Sequence, residues 1–528
     1  MLSSFSELLG DTITSYLLCF LVFVIFCCFL LTSSKDSKYS FPPGPRPLPL
    51  IGNLNILDMK LPKKTLIQVS CMCYEPSKRK NPRAVEMNSS FVTIVLKELS
   101  EKYGNMYTFH MGPEKYLILC GYKAVKEALV KRADEFGERG ETVWHNEVTR
   151  GNGILFGKGE SWKAMRRFTI STLKNFGMGR VSLEEKIVEE CRKMMEVFES
   201  YKGQAFSPDS ILKFSTSNII SVIVLGRQFD YKDSDLHRLQ KHLDEYRRFL
   251  GSPQLQLYNM FPFLGFLLSD LKRAAENVND FRKYFNIAYY DHKDKVDKND
   301  LRSFTDAFLL KQQMEDTYFN ERNFEVVAVN LYAAGIETIA ITLAWGLLLM
   351  MRYPDIQAKV QQEIENVIGN ERCPQYEDKK NMPYTNAVLH EIQRFGDVVP
   401  LNLLHQTSWD TTFQGYKIPK GTKVIPLLSS VLFDKTQWAT PFEFNPAHFL
   451  EADGKFVKKD AFMPFSAGRR ACLGETLAMM ELYLYFTLLM QKFKFHPPPG
   501  VAVDQLDLSP SPGLTSGPQP FQLCAEIH

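Results

Sequence analysis

Ten residues near the C-terminus, Phe465-Ser466-Ala467-Gly468-Arg469-Arg470-Ala471-Cys472-Leu473-Gly474, limit what this chain can become more than any other stretch. They run directly into Glu475 to Phe486, whose apolar content and lack of breakers predict a helix. Cys472 therefore sits at a helix start, where backbone N–H groups lack intrahelical partners and carry partial positive charge. Such a place favours a thiolate over a thiol, and a thiolate is a metal ligand. Gly468 and Gly474 let the backbone turn tightly and approach a flat group, and Arg470 offers a planar fork for a carboxylate. A lone cysteine is most often a small buried side chain. The fixed spacing is what gives this one its weight.

Iron in a porphyrin meets both needs, since it takes one axial thiolate and carries two propionates. Phe465, Gly468, Arg470, Cys472 and Gly474 match the pattern Phe-x-x-Gly-x-Arg-x-Cys-x-Gly, and the segment resembles the haem-thiolate loop of the cytochrome P-450 superfamily.

Composition agrees with one large globular unit. The 528 residues contain nothing that reads as a flexible linker, and 63 basic against 60 acidic side chains leave a net charge of +3. That balance argues against nucleic acid as the main partner. Ten cysteines without a Cys-x-x-Cys pair are too sparse for a disulfide scaffold and give little support to zinc or iron–sulfur sites; they suit a reducing compartment.

Ile13 to Leu31 is free of charge and long enough to cross a bilayer as a helix. The flank before it holds Glu7 and Asp11 with no basic residue, whereas Lys35 and Lys38 follow it. This reads as a retained single-pass anchor within residues 1–40, with the body on the cytosolic side, rather than a cleaved signal peptide. Phe41 to Pro49 is a proline-rich, semi-rigid connector. Residues 67–95 fit the pattern of relatives badly. They read equally as a solvated surface insertion or as a retained intron, and no function attaches to them.

Other motifs follow in the superfamily's order. Trp162 and Arg166 stand four apart on a predicted helix and resemble its Trp-x-x-x-Arg element. Ala333-Ala334-Gly335-Ile336-Glu337-Thr338 interrupts a long apolar helix, predicted over 325–351, and resembles the Ala-Gly-x-Asp/Glu-Thr segment. Gly335 and the Thr338 hydroxyl are expected to open the backbone ladder there. Ile339 stands where relatives more often have Thr or Ser. Glu391 and Arg394 match Glu-x-x-Arg, with Pro446-Ala447-His448-Phe449 as the later partner segment. Tyr107 to His110 and Tyr116 to Cys120 predict a β-hairpin around Gly112-Pro113, and Gly137 to Gly153 a polar loop.

The resemblance covers residue 41 to the C-terminus apart from 67–95, and is nearest to microsomal family 2, the fish subfamily K. It implies a mostly α cytochrome P-450 fold with small β-sheets behind an N-terminal transmembrane helix. It implies haem b held by the thiolate of Cys472, and monooxygenation of lipophilic small molecules such as fatty acids, steroids and xenobiotics. Thr338 would hold the reacting oxygen, and Glu337 would relay protons. Arg139, Trp162, Arg166, His405 and Arg470 would neutralise propionates, while Phe465, Gly468 and Gly474 shape the loop. No dinucleotide-binding Gly-x-Gly-x-x-Gly follows a strand, so electrons from NADPH would arrive through a separate NADPH-cytochrome P-450 reductase, with cytochrome b5 as an optional second donor. The basic stretch Lys158, Lys163, Arg167, Lys174 and Arg180 is a candidate docking face. The implied location is the endoplasmic reticulum membrane, with apolar Phe261 to Leu267 at the substrate entrance.

Overall fold

Long stretches of this chain carry apolar residues at helical spacing, and each must bury its apolar stripe against another. The computed structural model describes residues 38–56, 91–179, 181–314, 317–511 and 513–528. The candidate anchor at 13–31, Arg180 and most of the 67–95 stretch lie outside the described residues.

Ten helices carry the argument: α1 (Phe91–Tyr103), α2 (Gly159–Asn175), α3 (Val181–Ser200), α4 (Asp209–Leu225), α5 (Ser234–Leu250), α6 (Ser269–Lys293), α7 (Glu321–Arg352), α8 (Pro354–Val367), α9 (Pro383–Gly396) and α10 (Glu475–Lys492). Residues 91–95, counted above in the atypical stretch, open α1 and send Thr93 and Val95 into the core. The strands are β1 (Met106–Met111), β2 (Glu114–Leu119), β3 (Glu138–Arg139), β4 (His405–Gln406), β5 (Thr411–Phe413), β6 (Tyr416–Ile418), β7 (Lys423–Pro426), β8 (Phe493–His496) and β9 (Cys524–Ile527). They form a five-stranded sheet in the order β1-β2-β7-β4-β3 and two two-stranded sheets, the β5-β6 hairpin and the antiparallel pair β8-β9. The expected hairpin is present, with Met106 opposite Leu119 and Met111 opposite Glu114. This is a mostly α fold with small sheets.

The stretch read as a polar loop after Phe136 is more ordered than its composition suggests. It contains β3 and a short helix, Val143–Thr149, capped by the Thr142 hydroxyl accepting from the His145 N–H. Pairing of β3 with β4 is a non-local contact that local propensity cannot reveal.

Helix α7 runs through the centre. Asn320 caps it by accepting the Asn323 N–H, and its 32 residues span roughly 48 Å at the standard helical rise. Among the described residues it is the one helix long and apolar enough to cross a membrane, yet 72% of its most apolar window is buried inside the protein. Its neighbours α4, α6, α9 and α10 supply that burial. The expected interruption at Ala333 to Thr338 is absent: the helix is continuous. A carbonyl oxygen has two lone pairs, so the Thr338 hydroxyl adds to the Ala334 carbonyl at 2.9 Å without displacing the helical bond. Gly335 serves packing instead, because a Cβ there would meet the Ile220 side chain of α4 at 3.0 Å.

Helix α9 fixes the lower half of the core through one ion pair. Glu391 and Arg394 are both fully buried and joined by two bonds of 2.7 Å. Arg394 also donates to the carbonyls of Leu432, Pro441 and Glu443, while Glu391 accepts the Asn445 N–H and faces His448 Nδ1 at 3.2 Å. A charge pair this deep holds only when every remaining donor and acceptor is met. Glu391→Ala leaves Arg394 buried without its counter-ion and is expected to cost about 3–5 kcal/mol, read as a lowered urea midpoint.

Candidate active site

The Cys472 loop is closed by its own backbone. The Cys472 N–H donates to the Phe465 carbonyl at 2.9 Å and the Ala471 N–H to the Gly468 carbonyl at 3.1 Å, while Ser466 takes a left-handed conformation and receives the Asn402 amide at 3.0 Å. Gly468 has φ +73°, and a Cβ on it would lie 1.7 Å from the Leu129 carbonyl oxygen. Its glycine is therefore required by the close approach of a neighbouring turn, not by a flat ligand as its spacing suggested. Gly474 caps α10 with ordinary negative φ, and its absent Cβ would sit 3.9 Å from Cys472 Sγ. The missing side chain keeps the space beside the sulfur clear.

Cys472 faces a cavity of about 400 Å³, which accounts for its solvent-accessible area although protein surrounds it. Burial pushes its thiol above the usual range, and the Gly474 and Glu475 N–H groups and Arg166 only partly offset this. Desolvation thus opposes the thiolate that the helix start favours. A bound metal cation supplies the charge that makes the thiolate the stable form.

To the same cavity α7 contributes Ala333, Ala334, Gly335, Glu337, Thr338 and Ile339. Glu337 Oε1 lies 2.8 Å from Arg247 Nε of α5 and accepts the Thr515 hydroxyl at 3.1 Å. Burial raises the Glu337 carboxyl, with Arg247 and Thr515 pulling the other way. Phe465, Arg470, Arg139 and Arg166 line the same cavity.

Those three arginines test whether a haem fits. Arg139 and Arg470 are buried, and burial, with repulsion from neighbouring arginines, brings them down to about 9 and about 10 respectively; Arg166 is lowered mainly by burial. Arg139 donates to the Leu155 carbonyl at 3.2 Å, Arg166 to the Ala471 carbonyl at 2.6 Å, and Arg470 to the carbonyls of Gly137 and Gly157 at 2.9 Å each. Among the described residues, Glu138 is the acidic group paired with Arg470, at 3.5 Å. Arg470 Nη1 is buried with no protein partner among the described residues. Clustered, under-compensated cations with an orphaned donor beside a cysteine suit a ligand bearing carboxylates and a thiolate-seeking metal. Haem has both.

Trp162 and His405 stand behind the wall rather than in it. Trp162 Nε1–H donates to the Ile154 carbonyl at 3.2 Å, and the Arg470 guanidinium stacks 3.5 Å from its ring centre. His405 accepts Arg139 Nη1 on Nε2 at 2.7 Å, so Nδ1 carries the proton and donates to the Phe136 carbonyl, also at 2.7 Å. Burial and Arg139 hold this imidazole neutral. Both residues contact arginines that line the cavity.

Sequence reasoning missed three contributors. Arg247 was visible as a charge in the apolar stripe Leu236, Leu239, Leu243, Leu250 of α5, a pattern break worth noting. Asn330 of α7 accepts the Ile154 and Leu155 N–H groups at 3.2 and 3.3 Å and so places the carbonyl that holds Arg139. Glu481 of α10 also lines the cavity, with burial raising its carboxyl to about 8. Gly468→Ala is expected to cost about 1–3 kcal/mol from the left-handed backbone alone, plus the clash with Leu129. Urea denaturation, together with the fraction of purified protein carrying haem, measures it.

Comparison with known proteins supports the same assignment. The sequence model of the family described as Cytochrome P450 matches residues 85–525. Cytochrome P450 2K1 of Oncorhynchus mykiss is 46% identical over 499 residues, 93% of each chain. Cytochrome P450 2K6 of Danio rerio is 46% identical over 484 residues, 90% of each chain, and cytochrome P450 2F2 of Mus musculus is 42% identical over 497 residues, 93% of this chain and 95% of its own. The cysteine loop, the arginine cluster and the helix facing them thus belong to a haem-thiolate monooxygenase of lipophilic substrates, and the chain is a member of the cytochrome P450 family, akin to the fish subfamily K of family 2.

Proposed function

We propose that this enzyme hydroxylates or epoxidises lipophilic small molecules, fatty acids, steroids and xenobiotics among them, using O2 and two electrons from NADPH delivered by a separate NADPH-cytochrome P-450 reductase. One oxygen atom enters the substrate and the other leaves as water. The observation that carries the reading is the convergence, on one largely apolar cavity, of Cys472 and of Glu337 with Thr338. Haem, when bound, supplies oxygen activation and transfer.

The chain's own residues do the rest. Cys472 Sγ would hold the metal as a thiolate, with Gly474 keeping the sulfur's surroundings open. Arg139, Arg166 and Arg470 would neutralise the carboxylates, held in place by His405 and Trp162. Thr338 Oγ1 spends its proton on the Ala334 carbonyl, which leaves its lone pairs to accept a hydrogen bond. Glu337, reachable by solvent over 14% of its side chain, would carry protons inward as a general acid. This acid and alcohol pair favours oxygen chemistry over an isomerase or dehydratase, which would have no use for it.

Electron delivery would come from the outer side of the cysteine loop. A second hollow reaches Cys472 and Leu473 there and is rimmed by Lys379, Lys380, Lys455 and Lys458. Lys163, Arg167 and Lys174 of α2 lie exposed and extend a basic character suited to an acidic donor, the reductase or cytochrome b5. On another face, Phe263, Phe266 and Leu267 are 72, 84 and 66% exposed in a 3₁₀ turn, Pro262–Leu267. Such a turn suits contact with the endoplasmic reticulum bilayer and entry of greasy substrates.

Cys472→Ser is expected to abolish the thiolate-specific Soret shift of the reduced, CO-bound protein; a variant that keeps this spectrum overturns the ligand assignment. Glu337→Gln is expected to lower product formation about a hundredfold in a reconstituted system while NADPH oxidation continues. Hydroxylated product counted against NADPH consumed is the measurement.

A further inference from the structure

Five arginines line the cavity: Arg139, Arg166, Arg247, Arg282 and Arg470. Four of them spend donors on main-chain carbonyls, of Leu155, Ala471, Val148 and Gly137 respectively. Arg247 does not. Among the described residues its one polar partner is Glu337, whose Oε1 lies 2.8 Å from Nε. A guanidinium in a mostly apolar space is costly while its donors go unmet, and this one keeps its two terminal nitrogens unassigned. With Nε in an ion pair with Glu337 but not hydrogen-bonded to it, the terminal pair is the planar edge suited to a carboxylate in two parallel bonds.

Its surroundings suit an amphiphile. Leu243 and Leu250 flank Arg247 on α5, Ile220 and Val278 come from α4 and α6, and the same cavity continues to Cys472. We propose that Arg247 recognises a carboxylate at one end of a lipophilic substrate whose apolar remainder fills the cavity. This rests on the monooxygenase reading above and narrows its substrate class to anionic amphiphiles.

The charges facing Glu337 are Arg247 and Asp244 of α5 and Lys213 of α4, with the Thr515 hydroxyl beside them. Two carboxylates around one guanidinium are accommodated when Glu337 takes up a proton, a form that its burial already favours. An arriving anionic head group would then leave the distal acid loaded with the proton it passes on.

The test is spectral titration of the ferric holoenzyme with decanoate and with decan-1-ol, equal in chain length and different in charge. Wild type is expected to bind decanoate about tenfold more tightly than the alcohol, the worth of one charge-assisted hydrogen-bonded contact. Arg247→Gln is expected to bring the two affinities together, and Arg247→Lys to restore part of the preference. Equal affinities in wild type, or a preference that survives in Arg247→Gln, overturns the proposal. The reduced, CO-bound spectrum of the same preparations and the spectral response to decan-1-ol report the haem-thiolate reading separately, so either conclusion can fail without the other.

Discussion

Positive charge buried around one cysteine loop is the constraint on which the rest of this structure depends. Arg139, Arg166 and Arg470 come from β3, α2 and the loop itself, and they crowd one end of a cavity with Glu138 as the nearby acid. Mutual repulsion in a poorly solvated space is expensive, and the chain offsets it only in part, with carbonyls of residues 137, 155, 157 and 471. The surrounding scaffold holds these groups in place against that cost. Asn330 fixes the backbone that holds Arg139, Trp162 lies flat beneath Arg470, and neutral His405 takes up an Arg139 donor. The remaining deficit is what a dianionic, metal-bearing ligand would remove.

A second buried charge system works in the opposite way. Glu391 and Arg394 are complete without a ligand: each oxygen and nitrogen is met by the partner, by carbonyls or by Asn445 and His448. The contrast separates structure from function inside one protein. Saturated buried charge locks α9 to the meander after it, whereas unsaturated buried charge marks a binding site.

The fold's helices were legible because amphipathic spacing is a local property. The cysteine loop, the Trp162 and Arg166 pair and the Glu391 and Arg394 pair were readable for a related reason, since each motif lies within about ten residues and its spacing survives in one dimension. Legibility ended where a residue's role depends on a partner far along the chain. Gly468 looked like room for a cofactor and is room for Leu129; Gly335 looked like a helix break and is a seat for Ile220. Arg247 and Glu337 are ninety positions apart in number, and nothing in either neighbourhood announces their contact.

Sequence alone pointed to the family, the mostly α architecture, the candidate cysteine ligand and the acid and alcohol that share its cavity, because these are set by residue type and short-range spacing. Tertiary structure settled how those residues are held. It set desolvation of the sulfur against the pull of the helix terminus, because desolvation depends on the atoms packed around the sulfur. It moved Trp162 and His405 from the cavity wall to the layer behind it, since their polar hydrogens find carbonyls brought near only by folding. The Cys472 loop brings one buried arginine of its own, Arg470, and two distant segments bring Arg139 and Arg166 beside it.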